Sequence, residues 1–166
     1  MLLNPNRYWW LLPTSFIFAF LWQFWPLPLS IRSLAPDAIV VVTMYWSMQR
    51  QPRVSGGWAL VMGLLRDGIA GSPLGTHALA LVLVAFAVQL LGERLRTAAL
   101  WQQTVAAGVL CAAYQLIGNS VWLLFSSSDA HLLLPAAAIT TGLCWPICYL
   151  ALNLLEHGYS RGPNRA

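Results

Sequence analysis

The chain has 166 residues, of which 58% are hydrophobic and 8% charged. Soluble domains average about 25% charged residues, so there is too little charge here to coat a water-facing surface. The net charge of +4 and pI of about 9.3 come from a few arginines scattered beside apolar runs, which excludes the clustered basic stripe of a nucleic-acid-binding protein; the length allows one membrane domain and no large extramembrane module.

The first apolar run, Tyr8 to Trp25, follows Arg7 and stops at Pro26-Leu27-Pro28; its 18 residues are near the lower limit for a membrane span. Tyr8, Trp9 and Trp10 at one end and Trp22 and Trp25 at the other read as interfacial belts. A secretory signal peptide is the competing reading, opposed by the aromatic content and by the lack of a small-x-small cleavage site. Ala38 to Met48 and Val54 to Leu65 are short, 11 and 12 residues, or roughly 16–18 Å as helix against a hydrocarbon core of about 30 Å. They read as two short helices sheltered by protein or as one re-entrant hairpin, and Arg50 and Arg53 between them favour two crossings. Gly56 and Gly57 weaken the start of the third helix but permit close packing. Thr76 to Leu91 is a fourth span, closed by Gly92-Glu93-Arg94-Leu95-Arg96. Ala98 to Phe125 is a long fifth, followed by the polar turn Ser126-Ser127-Ser128-Asp129. Leu132 to Leu155 is the sixth, and Pro146 is expected to kink it near Gly142 and Leu143. The expectation is an all-α polytopic membrane protein, with a six-helix domain over residues 1–157 and a flexible cytoplasmic tail over residues 158–166.

Arginine placement orients these spans. The chain has no lysine; Arg7, Arg50, Arg53, Arg94, Arg96, Arg161 and Arg165 fall at the two termini and in every second connection, with Arg32 and Arg66 in the others. Positive residues are retained on the cytoplasmic side, so six crossings with both termini inside are expected.

Lipid tails give helices no hydrophobic reason to associate, so small and polar faces mark contacts. In the sixth span Ala137, Thr141, Cys144, Cys148 and Ala151 form one small-residue stripe. In the fifth, Gly108, Cys111 or Ala112, Gln115 and Asn119 share a face. The fifth and sixth helices should therefore meet, or line one interior. Gln115 and Asn119 read as interhelical hydrogen-bonding groups, with a ligand role as the alternative.

No catalytic constellation emerges. Asp37, Asp67, Glu93, Asp129 and Glu156 are nowhere spaced at i, i+3 or i+4. Cys144 and Cys148 lack further zinc ligands within a turn and read as packing residues, so with Cys111 three free thiols are expected. His77, His131 and His157 lie near span ends. H-E-x-x-H, G-x-S-x-G and G-x-x-x-x-G-K-[ST] are absent, and no metal or cofactor is expected.

One segment stands apart, Gly63-Leu64-Leu65-Arg66-Asp67-Gly68-Ile69-Ala70-Gly71-Ser72-Pro73-Leu74-Gly75-Thr76-His77-Ala78-Leu79. An apolar run ends in an Arg-Asp pair, then a glycine turn with Ser-Pro, then a new helix. Gly71 and Gly75 suit positive-φ or tightly approached positions. Asp67 should pair or cap, because an isolated charge at mid-bilayer costs roughly 2.5–3.5 kcal/mol. The candidate structural or partner-contact residues are Arg66, Asp67, Gly71, Pro73, Gly75, Gln115 and Asn119.

This segment resembles the signature of the rod shape-determining protein MreD family: a Gly-Leu-Leu-x-Asp helix end, then Gly-x-Pro-Leu-Gly, then a small or polar pair and Ala-Leu. Here those are Gly63, Leu64, Leu65, Asp67, Gly71, Pro73, Leu74, Gly75, Ala78 and Leu79. Leu100-Trp101-Gln102-Gln103 is similar to proteobacterial members, and length, aromatic first helix, short second and third helices and basic tail agree. Arg66 departs from the family, where that position is more often uncharged. The resemblance implies a non-catalytic inner-membrane component of the rod-shape machinery that organises peptidoglycan synthesis. It would work with an MreC-type single-span protein, with MreB, RodA and its partner transpeptidase in a larger complex, and with membrane lipid, but not nucleic acid. It also implies a fold like the substrate-binding S-components of energy-coupling-factor transporters. A small-molecule carrier subunit on that fold is the alternative, with Gln115, Asn119, Thr140 and Thr141 as candidate lining; a membrane enzyme lacks its residues.

Overall fold

The computed structural model describes residues 10–23, 26, 28, 34–48, 52–125 and 134–160. They form six helices: α1 Leu11–Gln23, α2 Ala38–Met48, α3 Pro52–Ala70, α4 Thr76–Thr97, α5 Leu100–Phe125 and α6 Leu134–Ser160. Three segments are long and apolar enough to cross a membrane: α4, α5 and Ala136–Leu155 within α6. The polar turn Ser126–Asp129 with His131, the Tyr8 and Trp25 ends of the first run, and residues 161–166 lie outside the described residues. Helix α6 itself continues past Leu155 to Ser160.

The expected shelter for a short second helix is present. Helix α2 is surrounded by α1, α3, α4, α5 and α6, and Ile39 to Tyr45, Ser47 and Met48 are all buried. Its run of Ile-Val-Val-Val is apolar on every side, as a central helix must be. Eleven residues reach only about 16 Å, so neither end of α2 spans the bilayer core alone.

Helix α3 is not short, contrary to expectation. It has 19 residues, from Pro52 to Ala70, or about 28 Å. The apolar run ends at Leu65, but the helix carries Arg66 and Asp67 in its last turns because both charges find partners inside the protein. Its close-packing glycine is also a different one. A Cβ on Gly63 would lie 2.3 Å from Ala78 Cα, whereas one on Gly57 would meet nothing within 4 Å. The α3–α4 backbones thus touch at Gly63.

Helices α5 and α6 pack along their length, as expected, though on a face rotated from the one read in the sequence. Ala138, Thr141, Gly142 and Trp145 are buried, while Ala151 is exposed. The rotation follows from Trp145, whose indole N–H donates to Gln103 Oε1 at 3.2 Å, and from Gly142, where a Cβ would stand 3.0 Å from the Thr104 carbonyl oxygen and 3.3 Å from Gly108 Cα. A buried tryptophan needs a partner for its polar edge, and that need selects the face. Helix α1 lies against α2 and α3 through Leu12, Phe16 and Ala19. Phe16 stacks on Trp58 at 6.2 Å between centroids, and the Trp46 indole donates to Ser15 Oγ at 2.8 Å.

Two bundle ends follow from this connectivity. At the glycine-turn end, the start of α2, the end of α3 and the start of α4 converge. At the arginine end, the Arg96 Nε of α4 donates to the carbonyl of Met48, the last residue of α2.

Candidate functional site

The polar groups of the glycine-turn end form one connected cluster drawn from α2, α3, α4, α5 and α6. Its first member is Asp67, fully buried at 0% exposure. One carboxylate oxygen accepts from Ser72 Oγ at 2.8 Å and from the His77 amide at 2.9 Å. The other accepts from the Gly75 amide at 2.8 Å and the Ala78 amide at 3.4 Å. These amides open α4 and would otherwise lack acceptors. Asp67 therefore caps the next helix across the turn, with its negative charge at the positive end of the α4 dipole. Four donors account for the burial of the charge without a cation at contact distance.

The turn is shaped to deliver those amides. Gly71 has φ +65 and Gly75 φ +103, the two positive-φ glycines among the described residues. Both were expected from sequence to occupy such positions. A side chain at either would be strained by roughly 1–2 kcal/mol. Pro73 brings no N–H to satisfy, and its carbonyl accepts from the Thr76 amide at 3.1 Å and the Thr76 hydroxyl at 2.7 Å.

Arg66 does not pair with its neighbour Asp67. Its Nη1 reaches both oxygens of Asp37, at 3.2 and 3.0 Å, and its guanidinium carbon sits 5.4 Å from the Tyr114 ring centre. The side chains of the pair are only 15% and 7% exposed. Asp37 immediately precedes α2, and its amide donates to Thr141 Oγ1 of α6 at 2.9 Å. Thr141 in turn donates to the Ala137 carbonyl at 2.6 Å and lies 3.4 Å from Cys111 Sγ of α5. Tyr114 Oη and His77 Nδ1 share a hydrogen bond of 3.0 Å, and His77 packs over Gly118, where a Cβ would come 3.7 Å from the ring.

Sequence reasoning singled out Arg66, Asp67, Gly71, Pro73 and Gly75, and the structure brings these together. It missed Asp37, His77, Tyr114 and Thr141 as their partners. The one available signal was that Asp37 and Arg66 both fall in connections on the same side of the arginine pattern. Among the described residues Gln115 Nε2 donates within α5 to Cys111 Sγ at 3.5 Å, and Asn119 makes no hydrogen bond to another of them. Thr140 bonds its own helix at Ala136 and Ala137. Among the described residues, the hydrogen bonds of Gln115, Thr140 and Thr141 do not bring them together around a shared polar cavity. An open groove of about 510 Å³ beside α5 and α6, lined by Val105, Gly108, Ala112 and Ile139 among others, is apolar. Cys111, Cys144 and Cys148 are free thiols.

The cluster resembles a structural joint more than a reaction centre: Asp67 accepts from four donors of one turn, Arg66 Nη1 is held by Asp37, and the cluster ties five helices of an apolar bundle. Such an arrangement defines a helical membrane protein whose polar residues fix helix ends. A model of the family described as rod shape-determining protein MreD matches residues 6–155, and the chain belongs to that family. It is 29% identical over 148 residues to the rod shape-determining protein MreD of Haemophilus influenzae, covering 89% of this chain and 91% of that protein. No solved structure matches the chain. Membership supports a role in rod-shape determination.

Proposed function

We propose that this chain is a non-catalytic scaffold of the rod-shape machinery in the bacterial inner membrane. It crosses six times with both termini cytoplasmic, and its main ligand is the transmembrane helix of an MreC-type single-span protein. MreB, RodA and its partner transpeptidase belong to the larger complex. The observation that supports this reading is the joint itself: Asp67 spends its carboxylate on four donors of one turn and Arg66 pairs with Asp37 through Nη1. The connections at 71–75 and 98–99 are too short to form a soluble docking module. Recognition then falls to helix faces within the bilayer, where polar groups add roughly 0.6–2 kcal/mol each and small residues allow close approach.

The test is co-purification of the chain with an MreC-type protein truncated to its N-terminal segment and span. Retention of the truncated form supports the proposal. Binding only by constructs that include the whole periplasmic domain, or rod shape that survives depletion in the native host, refutes it. The carrier alternative would need a bound small molecule, and the apolar groove beside α5 and α6 gives it no polar contacts.

A further inference from the structure

The helices of the bundle end at different levels around the glycine turn. His77, the second residue of α4, packs against Gly118 of α5, and α5 continues from Gly118 to Phe125, about 10 Å further. The Asp37 amide before α2 is held by Thr141 of α6, and α6 begins at Leu134, again about 10 Å beyond that bond. Leu123, Leu124 and Phe125 are exposed, so α5 stays apolar over this extra length. From Val105 to Phe125 it measures about 30 Å, the thickness of a hydrocarbon core. On α4 the apolar stretch from Thr76 to Gly92 measures only about 24 Å before Glu93 and Arg94 end it. What lies in the step is backbone. Ala70, Gly71 and Leu74 are exposed, Leu74 to 78%, so the rest of the chain leaves this side of the turn open. Pro73 has no N–H for the Ile69 carbonyl, and no amide of the described residues donates to the Ala70 carbonyl. Irregular backbone with open carbonyls is not tolerated against lipid tails.

We propose that phospholipid headgroups descend onto the glycine turn, so that the bilayer is thinner along α3 and α4 than along α5. A short apolar stretch is met by local thinning at a modest cost for each ångström of mismatch. Water held among the headgroups then supplies the donors that the Ile69 and Ala70 carbonyls lack. Tilting the bundle does not remove the mismatch, because tilt only lowers the height that α4 spans. The inference rests on the helices lying in a bilayer and not on the identity of any protein partner.

Spin labelling of the full chain in dioleoylphosphatidylcholine bilayers tests it. Labels go singly on Leu74→Cys, Leu83→Cys, Glu93→Cys and Phe125→Cys in a cysteine-free background, all at exposed positions. Ala70→Cys is a second turn site that decides if Leu74→Cys does not fold. Three relaxing agents are compared: oxygen, which enters hydrocarbon; chromium oxalate on both faces, which stays in water; and a nickel-chelating lipid, which holds its ion among headgroups. Leu83 should meet mainly oxygen, as a residue within the bilayer does. The turn labels, Glu93 and Phe125 should each meet chromium oxalate at least about tenfold more often than Leu83 does, since charge is excluded from mid-bilayer. The turn labels should also meet the lipid-borne nickel. If they follow oxygen as Leu83 does, the turn lies among lipid tails and the proposal is wrong. If they meet chromium oxalate but not the lipid-borne nickel, the turn opens on a water-filled crevice and the proposal is equally wrong. Chromium oxalate reaching Leu83 as readily as Leu74 would instead overturn the placement of α4 in the bilayer, and the proposal with it.

Discussion

Arg66→Gln and Asp37→Asn, alone and together, test the joint most directly. The pair is largely buried, at 15% and 7% exposure, and is held by a single guanidinium nitrogen shared between two carboxylate oxygens. Breaking a buried pair from one side costs 3–5 kcal/mol because the other charge is left uncompensated. One shared nitrogen is weaker than a two-nitrogen fork, which places each single variant near the lower figure, about 3 kcal/mol, or roughly 150-fold in the folding equilibrium. The double variant removes both charges and leaves two amides able to bond each other. Its loss should therefore fall short of the sum of the singles by about 2 kcal/mol, within the range of contacting residues. Arg66→Gln also removes the contact with Tyr114, worth about 0.5–2 kcal/mol, so it should be the worse single. Reversible unfolding in mixed micelles of increasing SDS fraction, followed by tryptophan fluorescence, gives the three values. Losses that add to within about 0.5 kcal/mol would refute the coupling, and Glu93→Gln, an exposed control, should stay within about 0.5 kcal/mol of the parent.

Gly63→Ala should lower the melting temperature sharply, because the added methyl falls 2.3 Å from backbone Ala78 Cα and the helices must part at a cost of about 1–3 kcal/mol or more; Gly57→Ala, with open space, should be neutral or gain up to about 1 kcal/mol of helix propensity. If the two alanines melt alike, α3 and α4 are not in backbone contact. Gly71→Val and Gly75→Val should reduce folded, monodisperse protein in detergent, since both glycines have positive φ; parent-like yield and melting in both would refute a constrained turn. For topology, cysteines placed singly at Gln51, Thr97 and Asn164 in a cysteine-free background should resist a membrane-impermeant thiol reagent in cells with a permeabilised outer membrane, and one at Ser127 should react. Labelling at Gln51 would remove the inside assignment of that connection.

Where hydrophobicity and helix coincide, the sequence was a good guide. Ala38–Met48 is helix α2, bounded by Asp37 on one side and by Gln49 and Arg50 on the other, and the fourth and fifth spans begin within two residues of the places read from the pattern. Helix α3 was misjudged because an apolar run measures where lipid is tolerated and not where the i→i−4 ladder ends. Arg66 and Asp67 interrupt the first without interrupting the second. Gly71 and Gly75 were legible because a positive φ leaves few residues to choose from. Gly63 was not, since a glycine inside a helix looks the same whether it faces lipid or another backbone.

The least legible part of the molecule is what allows an 11-residue helix to sit at its centre. Eleven residues reach only about 16 Å, well short of a hydrocarbon core of about 30 Å, so the terminal groups of α2 need partners in protein. Asp37 places a negative charge at the N-terminal end and Arg96 a positive one at the Met48 carbonyl, each opposing the end of the helix dipole it meets. Asp37 is in turn neutralised by Arg66, 29 residues away, and its amide is held by Thr141, 104 residues away. Arg96 is 48 residues from Met48. No periodicity within α2 encodes these partners. They arise because α3 and α4 are joined by a turn that Asp67 locks, which puts Arg66 near the start of α2 while Arg96, twenty residues further along α4 than Thr76, meets its end. The same turn that matches the family signature therefore also fixes the central helix, and a substitution there should loosen α2 although it touches no residue of α2 itself.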